Sequence, residues 1–577
     1  MAGGHTGGVT ATMPVEISQR RERLAGKGGF AGILENVRLF LTVFTVSLGA
    51  LLYGYNQGMF SQILTMNSFK REVEYSSIAN PMVKGMMTSI LELGAWFGAL
   101  CTGYMADKLG RKHSIYVAVV VFLAGVIVQA SSHGDGKPYF YSGRFIVGLG
   151  VGSLSMIVPL YTAELAPAEI RGALVGLQGT CICAGVAVAY WIGFGTQFIG
   201  GTGVNQSRAA WLIPTCIQVV PALMLGVGVM FMHQSPRWLM DKGRQEECLD
   251  TIATIRGKSI SHEAVILEFL EIKAQYLFEQ ETKKEWFPQY QDGTRKSACL
   301  LTLHNYLKLF STISMLRRTS AAVLVMLFQQ WTGITAILYY APTIFQSLGL
   351  TSNTVSVLAT GVVGILQVLP TIPVSILIDK LGRRPLLIWG GFGMAACHYT
   401  IAGISGAFED DWSTHNSAAW ACVVMVWLYI VVYAFSWCNI AWILVSEVFP
   451  LGLRAKGVAL GVSSNWLNNF AIGLATPTIL ESCRYGTYLF FGSMSFLAAV
   501  WVYFLVPETK GRSLEEMDEL FYDTSGQSKL DMERQIRIWS DLGMLDEELP
   551  DIEKVREFGI FDADKPSTKH VDDVEKV

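Results

Sequence analysis

Two short charge patterns occur twice in this chain, and their chemistry is pairing rather than catalysis. Asp107-Lys108-Leu109-Gly110-Arg111-Lys112 returns as Asp379-Lys380-Leu381-Gly382-Arg383-Arg384, and Glu164 with Arg171 seven residues on returns as Glu447 with Arg454. A carboxylate and a guanidinium one helix end apart can join neighbouring helices by charge-assisted hydrogen bonds. Asp107, Arg111, Glu164, Arg171, Asp379, Arg383, Glu447 and Arg454 are therefore candidates for a gate that holds one face shut in one state and releases it in another. Glu92 lies alone among carboxylates well inside a long apolar stretch. An ionisable group in such a place is a functional candidate, with proton binding as its chemistry and Arg144 as its candidate partner. Gln329-Gln330, followed by Gly333, places in another apolar stretch amides that both donate and accept, which suits a hydroxylated ligand. No Walker motif, dinucleotide fingerprint or HExxH occurs. The ten cysteines show no metal-ligand spacing. The expectation is a non-enzyme that needs no metal and no cofactor.

The elements that must hold these residues follow from where charge is missing. Asp, Glu, Lys and Arg make up 16% of the 577 residues and apolar types 51%, against roughly 25% charged in a soluble protein. Leu39 to Phe69, Gly172 to Ser207 and Thr319 to Ile378 contain no charged side chain. A spanning helix needs about 20 mostly apolar residues, and twelve can be placed: 39–62, 84–106, 113–132, 139–163, 171–195, 209–232, 319–346, 354–378, 386–407, 418–445, 457–480 and 486–506. The expected domains are an N-terminal tail (1–38), a six-helix bundle (39–232), a linker with short helices (233–318), a second six-helix bundle (319–506) and an acidic tail (507–577). Basic residues crowd the short gaps after the even-numbered spans, which places those gaps, the linker and both termini in the cytoplasm. Asn205-Gln206-Ser207 is a glycosylation sequon in an expected external loop. Between Glu508 and Val577 twenty acidic residues face ten basic ones, within a chain of net charge −3. That tail is expected to be loosely ordered apart from an amphipathic helix at 513–521 docking beneath the bundle, and nothing here fits nucleic-acid binding. Matched motifs in the two halves point to a duplicated architecture with a site near the midplane, that of alternating-access carriers.

The charge motifs join others into an ordered set. Gly143-Arg144-Phe145, Pro159-x-Tyr161-x-x-Glu164-x-Ala166-Pro167, Ser235-Pro236-Arg237-Trp238-Leu239, Gln329-Gln330-x-x-Gly333, Tyr339-Tyr340 and Pro507-Glu508-Thr509-Lys510-Gly511 together resemble the sugar porter family of the major facilitator superfamily, in its fungal style. The resemblance covers roughly residues 40–520 and implies an all-α membrane protein with twelve transmembrane helices in two bundles and a cytoplasmic helical loop. It implies a carrier for a sugar or polyol, working by alternating access in the plasma membrane, with the lipid bilayer as surroundings and a monomer as the acting unit. Gln329, Gln330, Trp442 and Asn469 match the family's binding residues.

Four changes around the site depart from the family's pattern. Its two consecutive glutamines in span 5 are Gln178 and Gly179 here, and its asparagine after the span 7 glutamines is Thr335. Its asparagine in span 8 is Gln367, and the Gly-Pro before Trp442 reads Cys438-Asn439. These changes argue against ordinary glucose and leave open another sugar, a smaller polyol or a non-sugar hydroxylated metabolite. The aspartate of many proton-coupled members is Asn56 here, which cannot titrate and favours uniport, while Glu92 keeps proton symport as the rival with protons as the second cargo. A non-transporting nutrient sensor and an exporter of a drug or non-sugar metabolite are the alternatives from other classes. His398 is read as an interior histidine.

Overall fold

The apolar stretches form helices in the computed structural model. It describes residues 19–20, 23–24, 37–73, 80–133, 136–167, 171–286, 288, 295–350, 352–409, 411–450, 453–510, 517, 520–521, 527–546 and 548–557. The first half comprises α1 (Val37–Ile63), α2 (Asn67–Glu72), α3 (Pro81–Leu109), α4 (Arg111–Ala130), α5 (Lys137–Leu165), α6 (Arg171–Thr196), α7 (Ala209–Ile217) and α8 (Val219–Met230). The linker folds as α9 (Pro236–Asp241), α10 (Gln245–Arg256), α11 (Glu263–Trp286) and α12 (Arg295–Lys308). The second half comprises α13 (Ile313–Trp331), α14 (Ile334–Ser347), α15 (Asn353–Leu381), α16 (Arg383–Phe408), α17 (Asn416–Phe435), α18 (Trp437–Glu447), α19 (Arg454–Ser482) and α20 (Arg484–Leu505). The tail adds α21 (Gln527–Asp541) and α22 (Ile552–Glu557), and no strand occurs among the described residues.

Each expected span has its helix, three of them in two pieces: α7 with α8, α13 with α14, and α17 with α18. Among the described residues ten spans are long and apolar enough to cross a membrane; α3 and α19 are not. Those two pack on each other between the halves. Buried against protein, they can carry Lys84, Glu92, Asn465 and Asn469 where a lipid-facing helix could not. The outer faces of other helices are apolar, with Ile127, Phe231, Trp389 and Phe504 exposed. That surface belongs in hydrocarbon rather than water, and the protein is a multi-pass membrane protein.

The sequence repeat is also a backbone repeat. Gly110, between α3 and α4, has φ +86°, and Gly382, between α15 and α16, has φ +87°. Only glycine adopts that conformation without steric cost, so the same turn is built twice from the same residue.

The linker and the tail form one body on the face where both halves' charge motifs lie, called here the linker face. Trp238, Leu249, Phe269, Leu270 and Phe278 of the linker are buried with Ile538, Trp539, Leu542, Met544 and Val555 of the tail. Arg534 pairs with Glu281 and Glu285, Arg537 with Glu281, and Arg556 with Glu246 at 3.4 Å. Arg20, from the N-terminal tail, donates to the Asp546 carbonyl at 2.6 Å. The expectation of a loosely ordered tail is thus corrected for residues 527–557: one face of α21 is apolar and finds a matching face on α11. Within the same body burial pushes the Lys273 ammonium down to about 8, and its Nζ donates to Gln245 Oε1 at 3.2 Å. The helix expected at 513–521 falls mostly outside the described residues. Of it, Met517 and Phe521 are buried, with the Arg318 guanidinium 4.8 Å from the Phe521 ring.

Candidate functional site

Two helix breaks build the centre of the second half. The α13–α14 break falls at Thr332-Gly333, with Gly333 at φ +99°, and the α17–α18 break falls at Ser436. A broken helix leaves the last carbonyls of its first piece without intrahelical donors, and side chains gather at both breaks. Gln329 Nε2 donates to the carbonyls of Trp437 (2.9 Å) and Cys438 (3.0 Å), tying one break to the other. Tyr429 donates its hydroxyl to the Thr332 carbonyl at 3.1 Å, and His398 Nε2 lies 3.0 Å from the same oxygen.

From Gln329 an amide network runs through the buried interior. Asn465 Nδ2 donates to Gln329 Oε1 at 2.9 Å, and the Thr335 hydroxyl lies 2.5 Å from Gln330 Oε1 and 3.0 Å from the Asn469 amide. Gln329, Gln330, Thr335 and Asn469, singled out in the sequence, therefore come together. Asn465 did not stand out there. Its spacing of four from Asn469, which puts both on one helix face, was the available signal. Asn469 Nδ2 is buried without a partner. Trp442, half-buried on α18, packs against apolar residues of both halves. Gln367 is buried on α15 with Oε1 unpartnered. Gln178 stands apart from the network: its Nε2 donates to Val158 O (3.1 Å) and Thr162 Oγ1 (2.7 Å), within the first half.

The coupling candidates lie fully buried. Asn56 Nδ2 donates to Leu52 O of its own helix at 3.0 Å, and its Oδ1 has no partner. Tyr339 of the second half donates its hydroxyl to Glu92 Oε1, and Glu92 Oε2 has no partner. The ion pair expected between Glu92 and Arg144 is not formed. Arg144 Nη2 donates to the Thr88 carbonyl at 3.0 Å, and the guanidinium rests 3.9 Å from the Phe60 ring centre, a cation–π contact that holds it in place. Tyr339 supplies the hydrogen bond that Arg144 was expected to give. Other contacts across the halves are Tyr190 Oη to Leu338 O (2.6 Å), Trp96 Nε1 to Ser463 Oγ (2.6 Å) and Lys84 Nζ to Thr343 Oγ1 (3.1 Å).

On the linker face Arg111 meets both oxygens of Glu164 at 2.8–3.1 Å and lies 3.7 Å from Asp107. Arg383 donates to Glu447 Oε1 at 3.0 Å, and the Thr509 hydroxyl donates to Oε2 at 2.6 Å. Arg454 Nε donates to the Phe449 carbonyl at 3.4 Å. The side chains of Arg171 and Asp379 lie outside the described residues. Glu508 accepts from the first backbone N–H groups of α16, at Arg383 and Arg384, both at 3.0 Å. A cavity opens beside these groups, lined by Asp107, Arg111, Met156, Leu160, Tyr306 and Lys456. Asn205 is exposed on the loop between α6 and α7, away from the linker face.

The arrangement gathers neutral amide and hydroxyl donors and acceptors in the buried interior, close to hydrogen bonds that join the two halves. A family model described as sugar (and other) transporter matches residues 42–521. A probable quinate permease of Aspergillus terreus is 32% identical over 499 residues, covering 84% of this chain and 87% of that protein. The quinate permease of Emericella nidulans is 32% identical over 495 residues, with 84% and 89% covered. Among solved structures, the partially occluded inward-open xylose transporter XylE from E. coli matches with TM-score 0.66 and 26% identity, over 83% of this chain and all of that one. A structure of the proton:xylose symporter XylE bound to 6-bromo-6-deoxy-D-glucose matches with TM-score 0.66 and 27% identity, over 84% of this chain and 99% of that one.

Proposed function

The chain belongs to the family of sugar and other transporters, and from that premise we propose that it carries a small polyhydroxylated ring, a sugar, a cyclic polyol or a hydroxylated ring carboxylate such as quinate, by alternating access of its two halves. The observation that supports this most is the buried network of Gln329, Gln330, Thr335, Asn465 and Asn469 at two tied helix breaks. Neutral amides match hydroxyl groups as both donors and acceptors, and Trp442 offers a ring an apolar face. The linker face is cytoplasmic in this reading, the working membrane is the plasma membrane, and one chain is the acting unit.

Transport is facilitative in this reading, because Asn56 carries no titratable group. A second reading, proton symport, is favoured by one observation: the buried Glu92 bridges to Tyr339 of the opposite half with its other oxygen unpartnered. Uptake of labelled hexoses, pentoses, disaccharides, polyols and quinate into proteoliposomes, with and without an inward proton gradient, tests both. Facilitated transport equilibrates at least one substrate regardless of the gradient, and Gln330→Ala raises its KM about tenfold. Accumulation that requires the gradient and disappears in Glu92→Gln establishes symport instead. A wild-type protein that moves none of the panel overturns the carrier reading.

A further inference from the structure

Two of the positions at which this chain departs from the family's pattern, far apart in sequence, meet in space. A Cβ built on Gly179 of α6 would lie 2.2 Å from Asn439 Oδ1 and 3.0 Å from its Cγ. The Asn439 carboxamide, from the other half, therefore stands where a side chain at 179 would begin. Its Nδ2 is buried and has no partner.

The backbone around it is held from two sides. Gln329 Nε2 binds the carbonyls of Trp437 and Cys438, which fixes the start of α18 just before Asn439. Cys183, one helical turn beyond Gly179, has its Sγ 3.9 Å from Cys438 Sγ, so the two helices keep their register over neighbouring positions. A proline at 439 would bring no side-chain donor, and a glutamine at 179 would collide with Asn439. Asn439 fills the space that a side chain at 179 would need, so the amide at this point comes from the second half.

We propose that Asn439 is a specificity-determining residue, presenting Nδ2 to an oxygen acceptor of the ring substrate from the seat left empty at Gly179. The inference rests on the carrier reading above. It explains how the chain keeps an amide at this point while changing the side of the ring from which it arrives.

The test is uptake kinetics in proteoliposomes for a substrate that the wild type moves, with thermal stability and size-exclusion profile read for every variant. Asn439→Ala is expected to raise KM about tenfold while kcat stays within about threefold. Gly179→Gln alone is expected to lose uptake. Gly179→Gln combined with Asn439→Gly is expected to regain it, with a changed order of preference across the panel. An unmoved KM in a well-folded Asn439→Ala protein overturns the proposal. So does a double variant that is folded yet no better than Gly179→Gln. Should Asn439→Ala not fold, Asn439→Ser carries the same comparison. A wild type that moves nothing overturns the carrier reading and this inference together, whereas wild-type uptake with indifferent Asn439 variants overturns this inference alone.

Discussion

The linker-face ends of the two halves and the seam between the halves are held by different kinds of bond. Each half closes on itself with charge: Arg111 grips both oxygens of Glu164, and Arg383 and Thr509 share Glu447. The seam is held by hydrogen bonds such as Tyr190 to Leu338, Trp96 to Ser463 and Tyr339 to Glu92. Deleting one partner of a buried ion pair costs about 3–5 kcal/mol, whereas a hydrogen bond between neutral groups contributes about 0.5–1.5 kcal/mol net. Each half is therefore braced by ion pairs at its linker-face end, while neutral seam bonds such as Tyr190 to Leu338 and Trp96 to Ser463 are individually weaker.

The largest effect comes from removing that difference altogether. In a chain whose other cysteines are replaced by serine, diamide should join Cys183 and Cys438, taking up the two electrons and two protons that the thiols give up. Uptake should fall to background and return with dithiothreitol, and a Cys438→Ser chain should not respond. Uptake that survives complete bridging would mean the seam does not part at this depth.

A smaller effect ranks the two ion pairs. The Glu164 side chain is 6% exposed and that of Glu447 is 27%. Arg111→Ala should then lower stability by about 3–5 kcal/mol and Arg383→Ala by about half as much, read by thermal unfolding in detergent. Equal losses would show that burial does not set the strength of these ion pairs. The smallest effect is Tyr190→Phe, which removes one seam bond worth about 1 kcal/mol. Labelling of a cysteine placed in the seam, from the face opposite the linker, should speed up roughly fivefold with little change in unfolding temperature. A thermal loss as large as that of Arg111→Ala would show that Tyr190 braces the fold as firmly as that ion pair.

Much of this was legible in the sequence because lipid enforces simple rules. Charge-free stretches marked the spans, and the repeated Asp-x-x-Gly-Arg motif marked the ends of α3 and α15, including α3, which is too polar to stand out by apolarity alone. Gly333 marked one helix break, but Ser436 carries no such signal, since its break is held by Gln329 from another helix. Tyr339 as the partner of Glu92, and the meeting of Gly179 with Asn439, depend on proximity between residues some 250 positions apart. No local pattern encodes that. The docking of α21 was hidden for a different reason: its many charges made it part of a tail read as loosely ordered, and its apolar face acquires meaning only beside α11.

That docking also bears on how the protein is made. The linker leaves the ribosome about 250 residues before α21 does, roughly 12 to 50 seconds at about 5–20 residues per second. Through that interval Leu270 and Phe278 lack the tail residues that cover them in the finished protein. A chain stopped after Leu505 would possess every membrane helix and still show this uncovered face to water. Ile538, Trp539 and Leu542 are thus needed to cover the linker, and such a truncated chain is expected to bind more of an apolar dye than the full-length protein.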